Sequence, residues 1–320
     1  MDSDYLNICQ VSLRKNIPII TQNYFNFLKF YKKIKIYIIC PANELEEFSN
    51  KLNFKEFTII NEDSLISLNE FKKIFYSESS ELTYKKNFIK RINWYYQQIL
   101  KISFTLKFIE NYKNKMVIWD ADTILLKKID FFKNNLSVKY GNFNEFHKEY
   151  YLTNDKILGF QPKYFISFLN QFVALSFEEF FFFKSHIFAN NEIILDDIPT
   201  ILSRKILKSI FLEHKIYNGS MFSEYELIGQ SNYKFSTVKQ IPLLSLRFGL
   251  DGILTNMQIS FIKSLNFIHI TYEHSHPNEI SKNLLHRNQN WLSLLRLIFK
   301  NIFKFYLRLL RHNYRYYMNK

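Results

Sequence analysis

Through the first third of the chain, short runs of continuous apolar residues alternate with amphipathic stretches. Ile34–Cys40 (IKIYIIC) and Phe57–Ile60 are rich in isoleucine and aromatics. They end in turn or charged residues, Pro41-Ala42-Asn43 and Asn61-Glu62-Asp63, which is the pattern of buried strands. Glu44–Leu52, between them, is helical in pattern. From Arg91 to Asn111 the residues Ile92, Tyr95, Tyr96, Ile99, Ile102, Leu106 and Ile109 recur at three- and four-residue spacing, which predicts a longer helix. Met116–Trp119 is a further buried strand. Strand, helix, strand, helix, strand predicts an α/β fold whose parallel sheet is covered on both faces.

The middle third is less regular. Helical patterns run over Gln161–Phe183 and Ile198–Phe211, and a loop is expected around Tyr217–Tyr225. Strand-like Asn266–Thr271 leads into a His-rich loop, Tyr272–Pro277. After Glu279 the chain carries nine Lys and Arg and no acidic residue. The one boundary therefore falls near residue 280, between an α/β domain (1–280) and a basic, aromatic helical tail (281–320). In a helix over Asn290–Met318, at about 100° per residue, Arg296, Lys300, Lys304, Arg308, Arg311 and Arg315 fall in one arc. Leu294, Leu295, Ile298, Phe299, Ile302, Phe303, Phe305, Tyr306, Leu309 and Leu310 cover the other side, with Leu297 and Leu307 as exceptions inside the basic arc. Such a helix suits an anionic membrane surface, peripheral on the inner face of the cytoplasmic membrane. The competing reading packs its apolar side on the protein's own core or on a second subunit.

Composition narrows the class. With 47% hydrophobic and 18% aromatic residues the 320-residue chain is not a disordered one, and 6 Gly and 6 Pro exclude collagen-like and linker-rich classes. Cys9 and Cys40 are too few for a disulfide scaffold or thiolate metal site, and read as reduced thiols. Met1–Asp4 lacks the basic start of a secretory signal. Even the Phe-rich run Phe177–Phe188 is interrupted by Glu178, Glu179, Lys184 and His186, so no spanning helix is expected. Lys and Arg exceed Asp and Glu by 14. That excess admits a nucleic-acid-binding protein as a rival class, but it is concentrated in the tail and no nucleic-acid motif is visible.

The sharpest chemical signal is Val117-Ile118-Trp119-Asp120-Ala121-Asp122-Thr123, an apolar strand that delivers two carboxylates two residues apart at its end. In open α/β sheets ligands bind there, and both aspartates can reach one hard divalent cation, Mn2+ or Mg2+, that neutralises a diphosphate. This is the DxD arrangement of nucleotide-sugar transferases. Haloacid-dehalogenase-like phosphatases also place Asp-x-Asp after an apolar strand, with Leu195-Asp196-Asp197 as a mimic of their later acidic motif. Against them, at least two strands precede Asp120, and Thr123 stands where a Gly is usual.

Three segments together, Arg91-Ile92-Asn93-Trp94-Tyr95-Tyr96-Gln97-Gln98-Ile99-Leu100-Lys101, Val117–Thr123 and Phe222-Ser223-Glu224-Tyr225-Glu226-Leu227, resemble in order and spacing a family of bacterial glycosyltransferase-like proteins found with capsule and lipopolysaccharide genes. The resemblance covers roughly residues 1–280. It implies a GT-A-like (Rossmann-like) nucleotide-sugar-binding domain, a nucleotide-sugar donor, a glycan or lipid-linked glycan acceptor, and a divalent cation at Asp120 and Asp122. Ile228 before Gly229 departs from the family's usual Tyr.

Arg91, Trp94, Gln98 and Lys101 share one helical face with Gln97 at its edge, and are expected to contact the donor; the competing reading is a solvated face. Glu224 is the expected acceptor-activating base and Asp197 a weaker one, while Ser223 and Glu226 could instead form a helix cap. His269 is the expected third metal ligand, with His274 and His276 as neighbours in the same cluster. His186 reads as a packed histidine, and Glu62 and Asp63 as a nucleotide contact or a turn.

Overall fold

The computed structural model describes residues 5–79, 89–141, 147–159, 167–188, 194–213, 220–231, 237–239, 243–247, 250, 252, 254–272 and 289–318. In chain order its strands are β1 (Leu6–Val11), β2 (Ile34–Cys40), β3 (Phe57–Asn61), β4 (Met116–Trp119), β5 (Thr123–Leu125), β6 (Phe132–Lys133), β7 (Leu136–Tyr140), β8 (Phe172–Leu175), β9 (Thr237–Lys239), β10 (Ser245–Leu246) and β11 (His269–Thr271). Its helices are α1 (Ile17–Phe30), α2 (Leu45–Lys51), α3 (Leu68–Glu78), α4 (Ile92–Tyr112), α5 (Lys148–Leu158), α6 (Phe177–Ile187), α7 (Ile198–Glu213), α8 (Glu224–Ser231), α9 (Asn256–Ser264) and α10 (Trp291–Met318).

The central sheet has the order β3-β2-β1-β4-β8. Its first four strands run parallel and β8 pairs antiparallel with β4. The expected α/β class with a parallel sheet core is therefore present. The strands are mostly apolar, with few interruptions such as Asn7, Gln10 and Lys35, because both faces are covered. In β2, Ile36, Ile38 and Cys40 join one core with α1 and α2, while Tyr37 and Ile39 join the other under α3 and α4. In β4, Val117 and Trp119 face the first core, Met116 and Ile118 the second. The chain steps outward from β1 to β2 and β3, then returns to the other side of β1 for β4. That reversal makes the carboxyl ends of β1 and β4 a topological switch point, the usual ligand position in such sheets.

A second sheet, β10-β11-β5, grows from this edge. β11 pairs antiparallel with β5, Thr271 opposite Thr123 and His269 opposite Leu125. β10 runs parallel to β11, with Leu246 opposite Ile270.

Two expectations are corrected. Gln161–Phe183 is not one helix: residues 160–166 lie outside the described set, and the Phe172–Leu175 run is a strand. Ser176 then starts α6 through a capping box with Glu179. The expected loop around Tyr217–Tyr225 ends in α8, which begins at Glu224; residues 214–219 lie outside the described set. Glu226 does not close a cap with Ser223. Its carboxylate instead accepts from Ser167 Oγ, Phe168 N and Gln230 Nε2.

The tail helix divides its apolar side in two. Leu294, Leu297, Ile298 and Phe305 are buried, the first three packed with Ile124, Leu246, Ile262 and Ile270 of the second sheet and α9. Leu292, Phe299, Phe303, Tyr306 and Leu310 form an adjacent stripe that stays exposed. Arg296, Lys300 and Lys304 are exposed beside that stripe, and the side chains of Arg308, Arg311 and Arg315 lie outside the described set. Among the described residues no helix is long and apolar enough to cross a membrane.

Gly229 lets α8 approach the Phe168 ring so closely that a Cβ there would overlap the ring carbons. Phe168 cannot slide away freely, because its N–H is fixed to Glu226 at 2.9 Å. Gly229→Ala should therefore lower unfolding free energy by about 1–3 kcal/mol through overpacking, even though alanine favours helix by about 1 kcal/mol. Urea denaturation measures this, and a stabilised variant would refute the packing account.

Candidate functional site

The turn after β4 carries both aspartates and is closed by hydrogen bonds on every side. Thr123 N donates to the Asp120 carbonyl at 3.1 Å, Tyr272 N to the Asp122 carbonyl at 2.8 Å, and Asp120 N to the Gln171 carbonyl at 2.9 Å. The Trp119 indole donates to the Thr123 carbonyl at 2.8 Å. Asp120 and Asp122, both half-buried, thus sit past the carboxyl end of β4 on a fixed backbone.

Helix α4 reaches the same point from the other side. Arg91, Tyr95, Gln98 and Lys101 step by three or four residues and form one stripe. That stripe meets the third motif bond by bond. Arg91 Nη1 donates to Ser220 Oγ at 3.2 Å, Met221 N to Tyr95 Oη at 3.0 Å, and Glu224 N to Gln98 Oε1 at 3.0 Å. Lys101 Nζ lies 2.5 Å from Asp120 Oδ1, 2.8 Å from Glu224 Oε1 and 3.2 Å from Tyr225 Oη. An ammonium has three N–H donors, so each has a partner. The Tyr225 hydroxyl donates to Asp120 Oδ1 at 2.5 Å. All three sequence segments therefore converge on one aspartate.

The electrostatics follow from this crowding. Burial pushes the Lys101 pKa down, but the carboxylates of Asp120 and Glu224 together outweigh it and hold the ammonium well above the ordinary lysine range. Burial and the neighbouring Asp120 push Glu224 up, with Lys101 opposing them. Two carboxylates share one cation, so the cluster favours keeping a proton. Glu226, two residues on and so on the opposite side of α8, is pushed up to about 7 by burial against the hydrogen bonds it accepts.

The predicted residues are now placed. Asp120, Gln98, Lys101 and Glu224 meet in one cluster, and Asp122 is two residues from Asp120. Arg91 marks the exposed start of α4, and Trp94 and Gln97 are half-buried on its flank. Gln98 and Lys101 are buried, so this face is not a solvated one. Asp197 is not brought to the cluster. It is exposed beside Asp196, which pairs with Lys107, about 9 Å farther along α4 than Lys101. The same placement removes Leu195-Asp196-Asp197 as a phosphatase-like acidic motif.

His269 is fully buried, its ring set edge-on to Trp119 and Phe172 at centroid distances of 6.3 and 6.0 Å. Burial, helped by Arg247, pushes it down to about 3, so the imidazole is neutral. It does not join the aspartates: among the described residues no three His, Cys, Asp or Glu gather to hold a metal. His274 and His276 lie outside the described residues. Glu62 and Asp63 open a short turn at the end of β3, and burial raises Glu62 to about 7.

Asp120 and Asp122 nevertheless suit Mg2+ or Mn2+, because such an ion commonly uses one or two carboxylates and fills its remaining positions with phosphate oxygens and water. Tyr225, Gln171 and Arg247 escaped the sequence reading. Tyr225 sits inside the third motif, where the acidic residues on either side of it carry the stronger chemical signal. Gln171 and Arg247 carry no local signal, because strand pairing alone brings them near Asp120.

Removing the cation should expose the cost of this arrangement. Lys101→Met should destabilise by about 3–5 kcal/mol, leaving buried carboxylates without their partner. Lys101→Met with Glu224→Gln should recover a large part. Denaturation of the single and double variants gives the coupling, and strictly additive effects would show that the bridge does nothing.

The family described as "Family of unknown function (DUF6492)" matches residues 17–173, from α1 through the second motif into β8. No curated protein sequence matches the chain. Among solved structures, the apo form of mouse xyloside xylosyltransferase 1 aligns at a TM-score of 0.41 and 8% identity, over 84% of this chain and 97% of that one. The apo structure of the WbbM bifunctional glycosyltransferase aligns at 0.36 and 10% identity, over 93% of this chain and 50% of that one.

Proposed function

We propose that the chain is a metal-dependent glycosyltransferase that moves a sugar from a nucleotide-sugar donor to a bacterial surface glycan, as in capsule or lipopolysaccharide assembly. The observation that carries this reading is the pair Asp120 and Asp122 on a closed turn at the reversal point of a parallel sheet. Two flanking motifs are tied to Asp120 through Lys101. Asp122 and the remaining oxygen of Asp120 would hold the cation, which supplies Lewis-acid stabilisation of the departing diphosphate.

The other roles follow from placement. Trp94, Gln97 and Arg91, on the accessible flank of α4, remain available for the donor. Gln98 and Lys101 spend their polar atoms on the protein and act through Asp120, fixing its carboxylate. Glu224 is assigned to the same brace rather than to base catalysis, because its carboxylate is buried against the ammonium and a general base must reach the acceptor hydroxyl. The phosphatase alternative loses its second acidic motif at Asp197.

Incubation with a panel of nucleotide sugars and Mn2+ tests the reading through release of nucleoside diphosphate. Asp122→Asn should lower turnover by at least about a hundredfold, since metal stabilisation is worth several kcal/mol, and a chelator should do the same to the wild type. The fold should survive, because asparagine is isosteric with aspartate at this half-buried position and the turn is held by backbone bonds. Hydrolysis of a simple phosphomonoester, with no use of any nucleotide sugar, would instead place the protein with the phosphatases.

The tail helix supports a membrane-surface location on the cytoplasmic face, where a lipid-linked acceptor would lie. Its exposed apolar stripe is bordered by exposed cations, and each cation near an anionic leaflet is worth about 1 kcal/mol. The full-length protein should float with vesicles of anionic phosphatidylglycerol at low salt. Phe299→Glu with Phe303→Glu, both at exposed positions, should abolish flotation without unfolding the chain. A wild type that ignores the vesicles would remove the membrane from the account.

A further inference from the structure

Lys101 cannot answer the donor's negative charge directly, because its three donors are held by Asp120, Glu224 and Tyr225. On the opposite side of Asp120 the structure places another cation, Arg247. Strand register explains how it arrives there. Leu246 pairs with Ile270, which sets Arg247 level with Thr271, and Thr271 pairs with Thr123 directly after Asp122. Two strand spacings of about 4.8 Å separate its backbone from that of Thr123, and the long side chain leans toward Gln171.

Gln171 joins the two sides. With its side-chain amide turned so that the oxygen rather than the NH2 faces the guanidinium, that oxygen accepts from Arg247 Nη1 at 2.8 Å, Nε at 3.1 Å and Nη2 at 3.3 Å, while its carbonyl accepts Asp120 N at 2.9 Å. To do both it adopts a left-handed backbone with φ of 60°. Residues other than glycine rarely hold that conformation, and such strain gathers where a fixed geometry is needed. Arg247 is half-buried as a residue. It also disfavours protonation of His269 beside it, leaving that imidazole neutral.

We infer that Arg247, oriented by Gln171, is a donor-binding residue whose guanidinium contacts the diphosphate oxygens of the nucleotide across the aspartate turn from Lys101. The inference rests on the donor-site reading above. A planar guanidinium suits this task because its parallel N–H groups match pairs of phosphate oxygens. One face of the turn would then present carboxylates to the cation and its rim a guanidinium to the same diphosphate.

Calorimetric titration of UDP, GDP and ADP in the presence of MnCl2, each compared with its nucleoside, tests this. For the diphosphate that binds the wild type, Arg247→Gln should weaken affinity by about ten- to a hundredfold, the usual range for a lost charged hydrogen bond. Affinity for the matching nucleoside should stay the same. Arg247→Lys should give a smaller loss in the same direction, and it decides the matter if the glutamine variant fails to melt cooperatively. Unchanged diphosphate affinity, or equal losses for diphosphate and nucleoside, would overturn the role of Arg247 while leaving the donor site standing. A wild type that binds none of the diphosphates would overturn the donor site and this role together.

Discussion

A buried ammonium between two carboxylates is the constraint on which this site depends. Lys101 comes from the middle of α4, Asp120 from the end of β4 and Glu224 from the first turn of α8, so one charge fixes the relative positions of three elements. Burying any of these groups singly would cost several kcal/mol. Each is tolerable only with the others in place. The surrounding bonds, from Arg91, Tyr95 and Gln98 to the segment leading into α8, read as the neutral part of the same junction. They hold the backbone so that the charged part can close.

Around this junction the fold divides its labour. The large sheet supplies the switch point, because the chain order reverses beside β1 and brings the aspartate turn to the carboxyl end of β4. The small sheet supplies the rim, its register carrying Thr271, Tyr272 and Arg247 to the level of the aspartate turn. Its other face receives Leu294, Leu297 and Ile298 of the tail helix. The tail is thus part of the body along one side, through Leu294, Leu297 and Ile298, while the exposed stripe from Leu292 to Leu310 runs along another. A helix read from sequence as two-sided is three-sided, because only burial tells which apolar residues the core has already used.

That distinction marks what the sequence could reveal. Elements with a strong local pattern were legible: IKIYIIC, Met116–Trp119, the α4 repeat and the tail helix all appear within a few residues of expectation. Strand β8 was not, because Phe172-Val173-Ala174-Leu175 runs straight into the helical pattern of Phe177–Ile187 and periodicity cannot separate two apolar stretches joined by one serine. In the site, Asp120, Gln98, Lys101 and Glu224 were picked out as chemistry-bearing residues, and they meet. Their mutual engagement was invisible, since a helix face reads the same whether it points at a ligand or at a neighbouring helix. Gln171 and Arg247 depend wholly on nonlocal pairing and left no trace in spacing. His269 reads as a ligand because it opens a histidine cluster after a strand-like run, whereas strand register sets its ring against Trp119 and Phe172.

The turn bearing the two aspartates has a thermodynamic consequence. Its amides and carbonyls are engaged by Thr123, Tyr272, Gln171 and the Trp119 indole, so the carboxylates are set in place before any ligand arrives. Ordering a loop of this size on binding would otherwise consume about 1–2 kcal/mol of backbone entropy per residue. Here that loss belongs to folding, and a ligand meets a preorganised surface whose affinity is not reduced by it. Association at this turn should therefore show little of the unfavourable entropy that accompanies a loop closing over its ligand.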